Sequence, residues 1–293
     1  MALIDPRTKY PRISPEAVNQ EEPGLESGLN PRAEHGFDTY RGHGRLEGRR
    51  AIVTGGDSGI GSAVAVAFAR EGADVAITYQ PEEQEDADRV AAQVTAAGRK
   101  IVLLPGEQKD PHFMAASVDR AAKELGGLDL VVANAGRQIT HPSIVDISDE
   151  DFDQTMKLNV YGTFYTVRAA IPHLKPGSSI IITTSIQAYQ PSPDIIDYAM
   201  TKAAVNNLAK GLAQLLGPEG IRVNSVAPGP VWTPMQNSHG KPLDQLPTFG
   251  QSAPLGRSGQ PAELAGPYVF LASEDASYIS GETLSVTGGK LLP

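Results

Sequence analysis

The fold is decided by the stretch Thr54-Gly55-Gly56-Asp57-Ser58-Gly59-Ile60-Gly61. An apolar run, 51–54, leads into it, and an alanine-rich segment follows from about Ile60. A strand that enters a helix through a glycine-rich turn leaves the first backbone N–H groups of the helix free to bind the pyrophosphate of a dinucleotide. The same glycines would suit any tight turn that needs a positive φ angle. The strand before the turn and the helix after it favour the dinucleotide site.

Beyond this turn, short apolar runs alternate with helical segments, which predicts an α/β, Rossmann-type, doubly wound parallel sheet of seven strands. Continuous apolar strands indicate burial on both faces. The predicted strands are 51–54, 75–79, 101–104, 130–133, 179–183, 221–226 and 283–286. Helices are predicted from about residue 60 and over 82–97, 111–125, 149–174, 197–216 and 261–273.

The 293 residues are enough for one large α/β domain or two smaller ones. We expect a single domain, 46–293, preceded by an extended arm, 1–45. The arm holds five prolines and five glycines without a helical or strand period, which also fits a disordered tail. We favour an arm docked on its own or a neighbouring subunit, because contact would bury apolar side chains. These side chains are Tyr10, Ile13, Leu25, Leu29, Phe37 and Tyr40.

Charge and composition narrow the partners of the protein. The formal net charge of -9 is spread without a long acidic or basic run, which argues against a nucleic-acid surface. The chain has no cysteine and its six histidines are scattered, so no metal site is predicted. The first 16 residues lack the apolar core of a signal peptide, and no apolar run approaches the roughly 20 residues of a membrane span. We expect a cytoplasmic protein that acts on a small molecule.

A second group of residues carries proton-transfer chemistry. Tyr198 and Lys202 are four residues apart, so on a helix their side chains share one face, where an ammonium group can lower the pKa of a phenol. A free phenol, with a pKa of about 10, is a poor base near neutral pH. An exposed Tyr–Lys pair is common on helices, but Ser185 after a predicted strand, together with the glycine turn, favours a hydride-transfer site.

These features resemble the short-chain dehydrogenase/reductase family. The glycine turn has the family spacing Gly-x3-Gly-x-Gly, and Asn134-Ala135-Gly136 follows the fourth predicted strand. The spacing of Ser185, Tyr198 and Lys202 is that of the family's catalytic residues. The resemblance covers about residues 45–289. The long arm further resembles a bacterial subgroup of general oxidoreductases and aldehyde or alcohol reductases.

The resemblance implies an NAD(P)-dependent enzyme that transfers hydride between the cofactor and a carbonyl or alcohol substrate. Tyr198 would be the general acid or base, and Ser185 would hydrogen-bond the substrate oxygen. Lys202 would bind the nicotinamide ribose and lower the pKa of the phenol. Asn159 would hold a water molecule that connects Lys202 to solvent.

The resemblance also implies the cofactor site. Its residues would be Gly55, Ser58, Gly59, Ile60, Gly61, Tyr79, Glu107, Asn134, Ala135, Gly136, Tyr198, Lys202, Pro228, Gly229, Val231 and Thr233. Cofactor choice is set after the second strand, where an acid binds the ribose 2′-OH of NAD and a base accepts the 2′-phosphate of NADP. Tyr79 and Gln80 stand there. Because neither is a carboxylate that would repel the phosphate, we expect NADP(H) to be favoured, with some use of NAD(H).

The same resemblance implies a substrate lid over 231–255, in which Trp232, Met235 and Phe249 would give an apolar to mixed pocket. Family members are tetramers or dimers, built partly across the helix that carries Tyr198. The small residues that would permit close helix packing are Ala199, Ala203 and Ala204. We therefore expect a homo-oligomer.

Two other functions remain open at this point. The fold could serve a regulator that binds a dinucleotide without turnover, although the retained Tyr198 and Lys202 argue against it. Some relatives of the fold perform dehydration or epimerisation, with extra acids beside the tyrosine. Asp194 and Asp197 lie near Tyr198 in the sequence, but a turn and a helix N-cap explain them more simply.

Overall fold

In the computed structural model, which describes residues 3–292, the chain is built on a seven-stranded sheet. The strand order is β3-β2-β1-β4-β5-β6-β7, and all neighbouring strands are parallel. The strands are β1 (Arg50–Thr54), β2 (Asp74–Tyr79), β3 (Ile101–Pro105), β4 (Leu130–Ala133), β5 (Ser179–Thr183), β6 (Arg222–Pro228) and β7 (Thr283–Val286). The predicted doubly wound sheet is confirmed, and each strand begins within one residue of its predicted start.

Helices cover both faces of the sheet. They are α1 (Gly59–Arg70), α2 (Gln84–Ala96), α3 (Pro111–Leu125), α4 (Asp149–Met156), α5 (Thr163–Ala170), α6 (Ile196–Leu216) and α7 (Pro261–Ala272). Helices α1, α2 and α7 share one buried apolar cluster with the sheet, and α3, α5 and α6 share another. Side chains alternate along each strand, so Ile181 faces the first cluster and its neighbours Ile180 and Ile182 face the second. Both faces are buried, as the apolar strands predicted.

The helix predicted over 149–174 is interrupted. A π-helical turn, Lys157–Gly162, separates α4 from α5, and a short 3₁₀ turn, Ile171–His173, ends the segment. The ending has a clear cause, since Pro172 lacks the N–H that would continue the helix. Asn159 lies in the widened turn, where its carbonyl oxygen accepts a hydrogen bond of 2.8 Å from the Thr163 hydroxyl.

The arm lies extended along its own chain. Ile13 and Leu29 are buried in a cluster with Trp232, Leu246 and Phe249, and the indole N–H of Trp232 donates a 2.8 Å hydrogen bond to the carbonyl of an arm residue, Pro31. The other apolar side chains of the arm expected to be buried are only half-buried. They are Tyr10, Leu25, Phe37 and Tyr40.

The last arm residues are tied to the body through Glu71, which follows α1. Its carboxylate accepts hydrogen bonds from the Tyr40 hydroxyl and from the backbone N–H groups of His43 and Arg45. Burial alone would raise the pKa of Glu71, but these hydrogen bonds and the Arg45 guanidinium lower it to about 2. We propose the boundary between arm and catalytic domain at residue 45, where these contacts end.

Between residues 3 and 292, no helix combines the length and apolar character needed to cross a membrane.

Candidate functional site

A cavity of about 670 Å³ opens where the strands end at their carboxyl side. Its walls include Gly55 after β1, Asn134 after β4, Thr184 after β5 and Pro228 at the end of β6. The strand order reverses between β1 and β4, and ligands of open α/β sheets bind in the crevice at such a switch point. The cavity therefore lies where a dinucleotide cofactor is expected.

The turn between β1 and α1 needs its glycines. Gly55 and Gly59 have φ angles of +58° and +50°, which favour glycine. A Cβ on Gly61 would stand 1.8 Å from the carbonyl oxygen of Gly55. Ser58, Gly59 and Ile60 line the cavity, so the positive end of the α1 dipole faces it. The Gly59 N–H already donates a 2.7 Å hydrogen bond to the Glu26 carboxylate of the arm, so an anionic cofactor group would fit against the neighbouring residues of this turn.

Thr54 and Asn134 fix the turn against β4. The Thr54 hydroxyl oxygen accepts hydrogen bonds from the backbone N–H groups of Asn134 and Ala135, at 2.9 and 3.1 Å. In return, the Asn134 amide donates to the carbonyl oxygens of Thr54 and Gly55, at 3.1 and 3.2 Å. These four hydrogen bonds tie the glycine turn to the segment after β4 and thereby hold the floor of the cavity in place.

Ser185, Tyr198 and Lys202 are brought together on one wall of the cavity. Ser185 follows β5 and caps a short 3₁₀ turn, whereas Tyr198 and Lys202 lie one turn apart on α6. The Lys202 ammonium nitrogen lies 5.5 Å from the centre of the Tyr198 ring and donates a 3.0 Å hydrogen bond to the carbonyl oxygen of Thr183. The four-residue spacing of Tyr198 and Lys202 accounts for their shared face on α6, and the three side chains line the same cavity.

The acidity of the phenol differs from the sequence-based expectation. Burial raises the pKa of Tyr198 to about 12, although hydrogen bonding to Ser185 works in the opposite direction. Burial also lowers the pKa of Lys202 to about 8. Both shifts follow because a buried site disfavours the charged form of either group. Lys202 therefore does not lower the phenol pKa below its ordinary value, and Tyr198 carries its proton at neutral pH.

Asn159 lies behind the wall rather than in it. Its side-chain oxygen accepts a 2.7 Å hydrogen bond from the backbone N–H of Arg137, and its amide donates to the Arg137 carbonyl and the Thr201 hydroxyl, at 2.9 and 3.0 Å. A Cβ on Gly136 would lie 3.3 Å from both Asn159 Oδ1 and Lys202 Nζ. Asn159 thus holds the segment after β4 close to the lysine, and its water-binding role stays a prediction.

Most residues predicted to bind the cofactor line the cavity. Those that do, besides the groups already described, are Glu107, Ala135, Gly136, Gly229, Val231 and Thr233. Gly61 is not part of the lining but gives the turn its close packing. Tyr79 is buried beneath the wall, where its hydroxyl donates a 2.8 Å hydrogen bond to Gln84 Oε1, and its neighbour Gln80 lines the cavity instead.

Two carboxylic acids near the end of β2 are missing from the sequence-based site. Asp57 and Glu83 line the same cavity as Gln80, and Glu83 folds back to accept a 2.9 Å hydrogen bond from the Gln80 backbone N–H. The assumption that no carboxylate lies near the end of this strand is therefore wrong. The sequence could have predicted this position of Glu83. Gln80 and Glu83 have the spacing of a capping box, in which the side chain of the second residue hydrogen-bonds to the backbone N–H of the first.

The predicted lid segment contributes part of the cavity wall, including Met235, Gln236 and Phe249. Trp232 is an exception, because it is fully buried against the arm and does not line the cavity. Polar side chains are prominent both in the lid segment and on the remaining walls. They include Gln138, Gln187, Ser192, Ser238 and Lys241.

Known proteins support this interpretation of the site. A family model described as enoyl-(acyl carrier protein) reductase matches residues 55–290. The chain is 50% identical over 290 residues to the uncharacterized oxidoreductase YghA of Escherichia coli strain K12, covering 99% of each protein. It is 38% identical over 289 residues to glucose and ribitol dehydrogenase of Daucus carota, covering 95% of this chain and 97% of the relative.

A solved structure shares the fold and much of the sequence. It is a short chain dehydrogenase from Burkholderia cenocepacia J2315 in complex with NADP, with a TM-score of 0.78 and 37% identity, and the match covers 84% of this chain and 98% of that one. The sheet order, the family model and these relatives agree. The chain belongs to the short-chain dehydrogenase/reductase family and is an oxidoreductase.

Proposed function

We propose that this oxidoreductase interconverts a carbonyl compound and its alcohol, with NADP(H) as the favoured cofactor and some use of NAD(H). The observation that carries the proposal is the wall formed by Ser185, Tyr198 and Lys202 in the cavity that α1 faces with its N-terminus. The related Burkholderia enzyme binds NADP. When bound, such a cofactor supplies or accepts the hydride.

The roles of the side chains follow from the needs of a carbonyl group during reduction. An oxygen that gains negative charge needs a hydrogen-bond donor and a proton source on the same side. Ser185 supplies the hydrogen bond and fixes the position of the oxygen. Tyr198, protonated at neutral pH because of its raised pKa, supplies the proton. Lys202 holds its ammonium group 5.5 Å from the centre of the Tyr198 ring, where its positive charge would favour the phenolate that forms as the proton leaves.

The position of the acids beside Tyr198 favours hydride transfer over dehydration or epimerisation. Asp194 lies 3.5 Å from the ammonium group of Lys241. Asp197 lies in the first turn of α6, and neither acid lines the cavity. Neither carboxylate is therefore placed to act on a substrate held at Ser185. No feature of the site favours the alternative, a regulator that binds a dinucleotide without turnover, because such a regulator would not need a buried Tyr–Lys pair.

The test is a coenzyme titration followed by a substrate panel. We expect nicotinamide fluorescence to report binding of NADPH and, more weakly, of NADH. The panel should contain simple aldehydes, ketones and sugars, because the cavity has polar walls and the carrot relative is named for glucose and ribitol. Carbonyl-dependent oxidation of the bound cofactor would support the reductase. Binding of the cofactor without turnover of any compound in the panel would support the regulator instead.

We also propose that the protein is a homo-oligomer formed partly through α6. The exposed residues of this helix include the apolar or small Met200, Ala203, Ala204 and Leu215, beside the polar Asn207, Lys210 and Gln214. Ala199, also expected at this face, packs into its own chain instead. The cytoplasmic location stays a prediction of the sequence.

Light scattering should therefore report a dimer or tetramer, and Ala204→Arg should reduce its mass, because a buried charge without a partner opposes close helix packing. The matched control is Ala92→Arg on the exposed surface of α2, which should leave the mass unchanged. A wild-type monomer at all concentrations would contradict the proposed assembly.

A further inference from the structure

Residues 20–26 of the arm form a strap beside the cofactor cavity. Two of them, Glu22 and Pro23, line the cavity together with residues of the glycine turn, the segment after β4 and the lid segment. Glu22 is also exposed to solvent, which places the strap at the opening of the cavity. The hydride-transfer mechanism gives these arm residues no role.

One end of the strap is attached to the lid segment. The backbone N–H of Gln20 donates a 2.6 Å hydrogen bond to the carbonyl oxygen of Asn237, and the Gln20 side-chain amide donates one of 3.1 Å to Asn237 Oδ1. Both sequence neighbours of Asn237 line the cavity. A Cβ on Gly24 would stand 3.0 Å from the Cβ of Ser238, so the strap packs closely against the lid segment.

The middle of the strap is attached to the segment after β4. The Arg137 guanidinium contacts both carboxylate oxygens of Glu22, with Nε 3.0 Å from Oε1 and Nη2 3.0 Å from Oε2. Such a two-point contact is the strong form of an arginine–carboxylate pair. The same guanidinium donates a 2.9 Å hydrogen bond to Asp151 on α4. Arg137 is therefore held in place on the cavity wall, which it lines.

The other end of the strap is attached to the glycine turn. The Gly59 N–H donates a 2.7 Å hydrogen bond to Glu26 Oε1, and the backbone N–H of Glu26 donates one of 2.8 Å to Asp86 on α2. His35 Nε2 lies 2.7 Å from the same Glu26 oxygen. Gly59 lines the cavity but Glu26 does not. Glu26 thus reaches the turn from beside the cofactor space and not from within it.

The three attachments lie on three different walls of the cavity. The glycine turn follows β1, Arg137 follows β4 and the lid segment follows β6. Each attachment point lines the cavity or is flanked by residues that do. A segment fixed to all three walls at the opening of the cavity crosses this opening. A cofactor bound at the switch point of the sheet would lie between the strap and the carboxyl ends of the strands.

We propose that the strap is a gate for the cofactor, which enters and leaves only after Glu22 separates from Arg137 and the strap moves away from the cavity. The inference rests on the proposed function, since it concerns the cofactor of the same site. The strap contacts join one part of the protein to another, so they restrain the strap equally with and without the cofactor. Weakening them speeds entry and release alike and leaves the dissociation constant unchanged, because an interaction made equally in two states does not shift the equilibrium between them.

The experiment measures the two rate constants separately. Stopped-flow fluorescence gives the association rate constant of NADPH, and displacement of bound NADPH by excess NADP⁺ gives its dissociation rate constant. In Glu22→Gln, which loses the charge that pairs with Arg137, both rate constants should rise about fivefold, and Kd should stay within about twofold of the wild-type value. Asn237→Ala, which removes the side-chain contacts to Gln20 and Gly28, should show the same pattern from the lid end of the strap.

The matched control is Glu21→Gln. It removes the same charge from the same strap, but Glu21 is exposed and does not line the cavity. Because loss of any nearby carboxylate favours the approach of an anionic cofactor, this variant measures the effect of the charge alone. Its two rate constants should stay within about twofold of the wild-type values.

Three results would overturn the inference. The first is a folded Glu22→Gln whose rate constants equal those of Glu21→Gln. The second is a folded Asn237→Ala with wild-type rate constants. The third is a rise in the dissociation rate constant alone, with a weaker Kd, because the strap would then be part of the binding surface and not a gate. Failure of the wild type to bind NADPH or NADH would instead overturn the proposed function.

Discussion

Replacing Tyr198 by Phe should lower kcat for carbonyl reduction by about 100-fold or more. The substitution removes the hydroxyl that supplies the proton but keeps the ring that fills the buried site beside Lys202. Cofactor affinity should change by less than about threefold, because the lost group acts on the substrate oxygen. Steady-state kinetics and a fluorescence titration on the same preparation measure the two effects separately.

Tyr189→Phe is the matched control for this prediction. Tyr189 lies close to Tyr198 in the sequence, but its hydroxyl accepts a 2.8 Å hydrogen bond from Asn206 and the residue does not line the cavity. Its loss should leave kcat near the wild-type value. Undiminished turnover by Tyr198→Phe, or an equal loss in both variants, would show that another group supplies the proton.

Gly61→Ala should abolish measurable cofactor binding, with a loss of affinity of about 100-fold or more. The added Cβ would stand 1.8 Å from the carbonyl oxygen of Gly55 and 2.8 Å from the Asn134 side-chain nitrogen. The Gly55 backbone and the Asn134 side chain would both have to move, so the turn could no longer present its N–H groups to a pyrophosphate. The unfolding temperature should also fall, because the first turn of α1 packs through this contact.

Gly266→Ala tests whether such an effect is specific to the turn. Gly266 lies within α7, and a Cβ there would meet no atom within 4 Å. Alanine is favoured over glycine inside a helix by about 1 kcal/mol, so this variant should be as stable as the wild type or more stable. Normal cofactor binding by Gly61→Ala, measured by the same fluorescence titration, would remove the glycine turn from the site.

Local sequence patterns predicted the sheet well because β1 to β5 are mainly apolar runs, whereas β6 and β7 mix polar and apolar residues. The four-residue spacing placed Tyr198 and Lys202 on one face of a helix, and the resemblance to the family implied that Ser185 lies beside them. The helical composition wrongly predicted one continuous helix over 149–174, where the structure has two helices separated by a π-helical turn. Asn159, in the π-helical turn there, exchanges two hydrogen bonds with the backbone of Arg137, 22 positions away, a contact that local composition does not reveal.

The remaining differences arise from burial, which a single sequence does not reveal. The expected effect of Lys202 on the phenol was outweighed because both groups are buried. Trp232 was assigned to the substrate pocket, but its indole N–H bonds to Pro31 under the arm. Asp57 and Glu83 are 26 positions apart in the chain, and only the fold places both in one cavity wall.

The position of the arm also has a consequence for the order in which parts of the protein fold. Its contacts are among the most distant in the sequence, with Pro31 and Trp232 separated by 201 positions and Pro6 and Arg257 by 251. The arm is synthesised about 200 residues before the surface it binds, so its docking is a late, long-range event in folding. The lid segment that borders the substrate cavity therefore reaches its final packing only after the arm has folded back onto it.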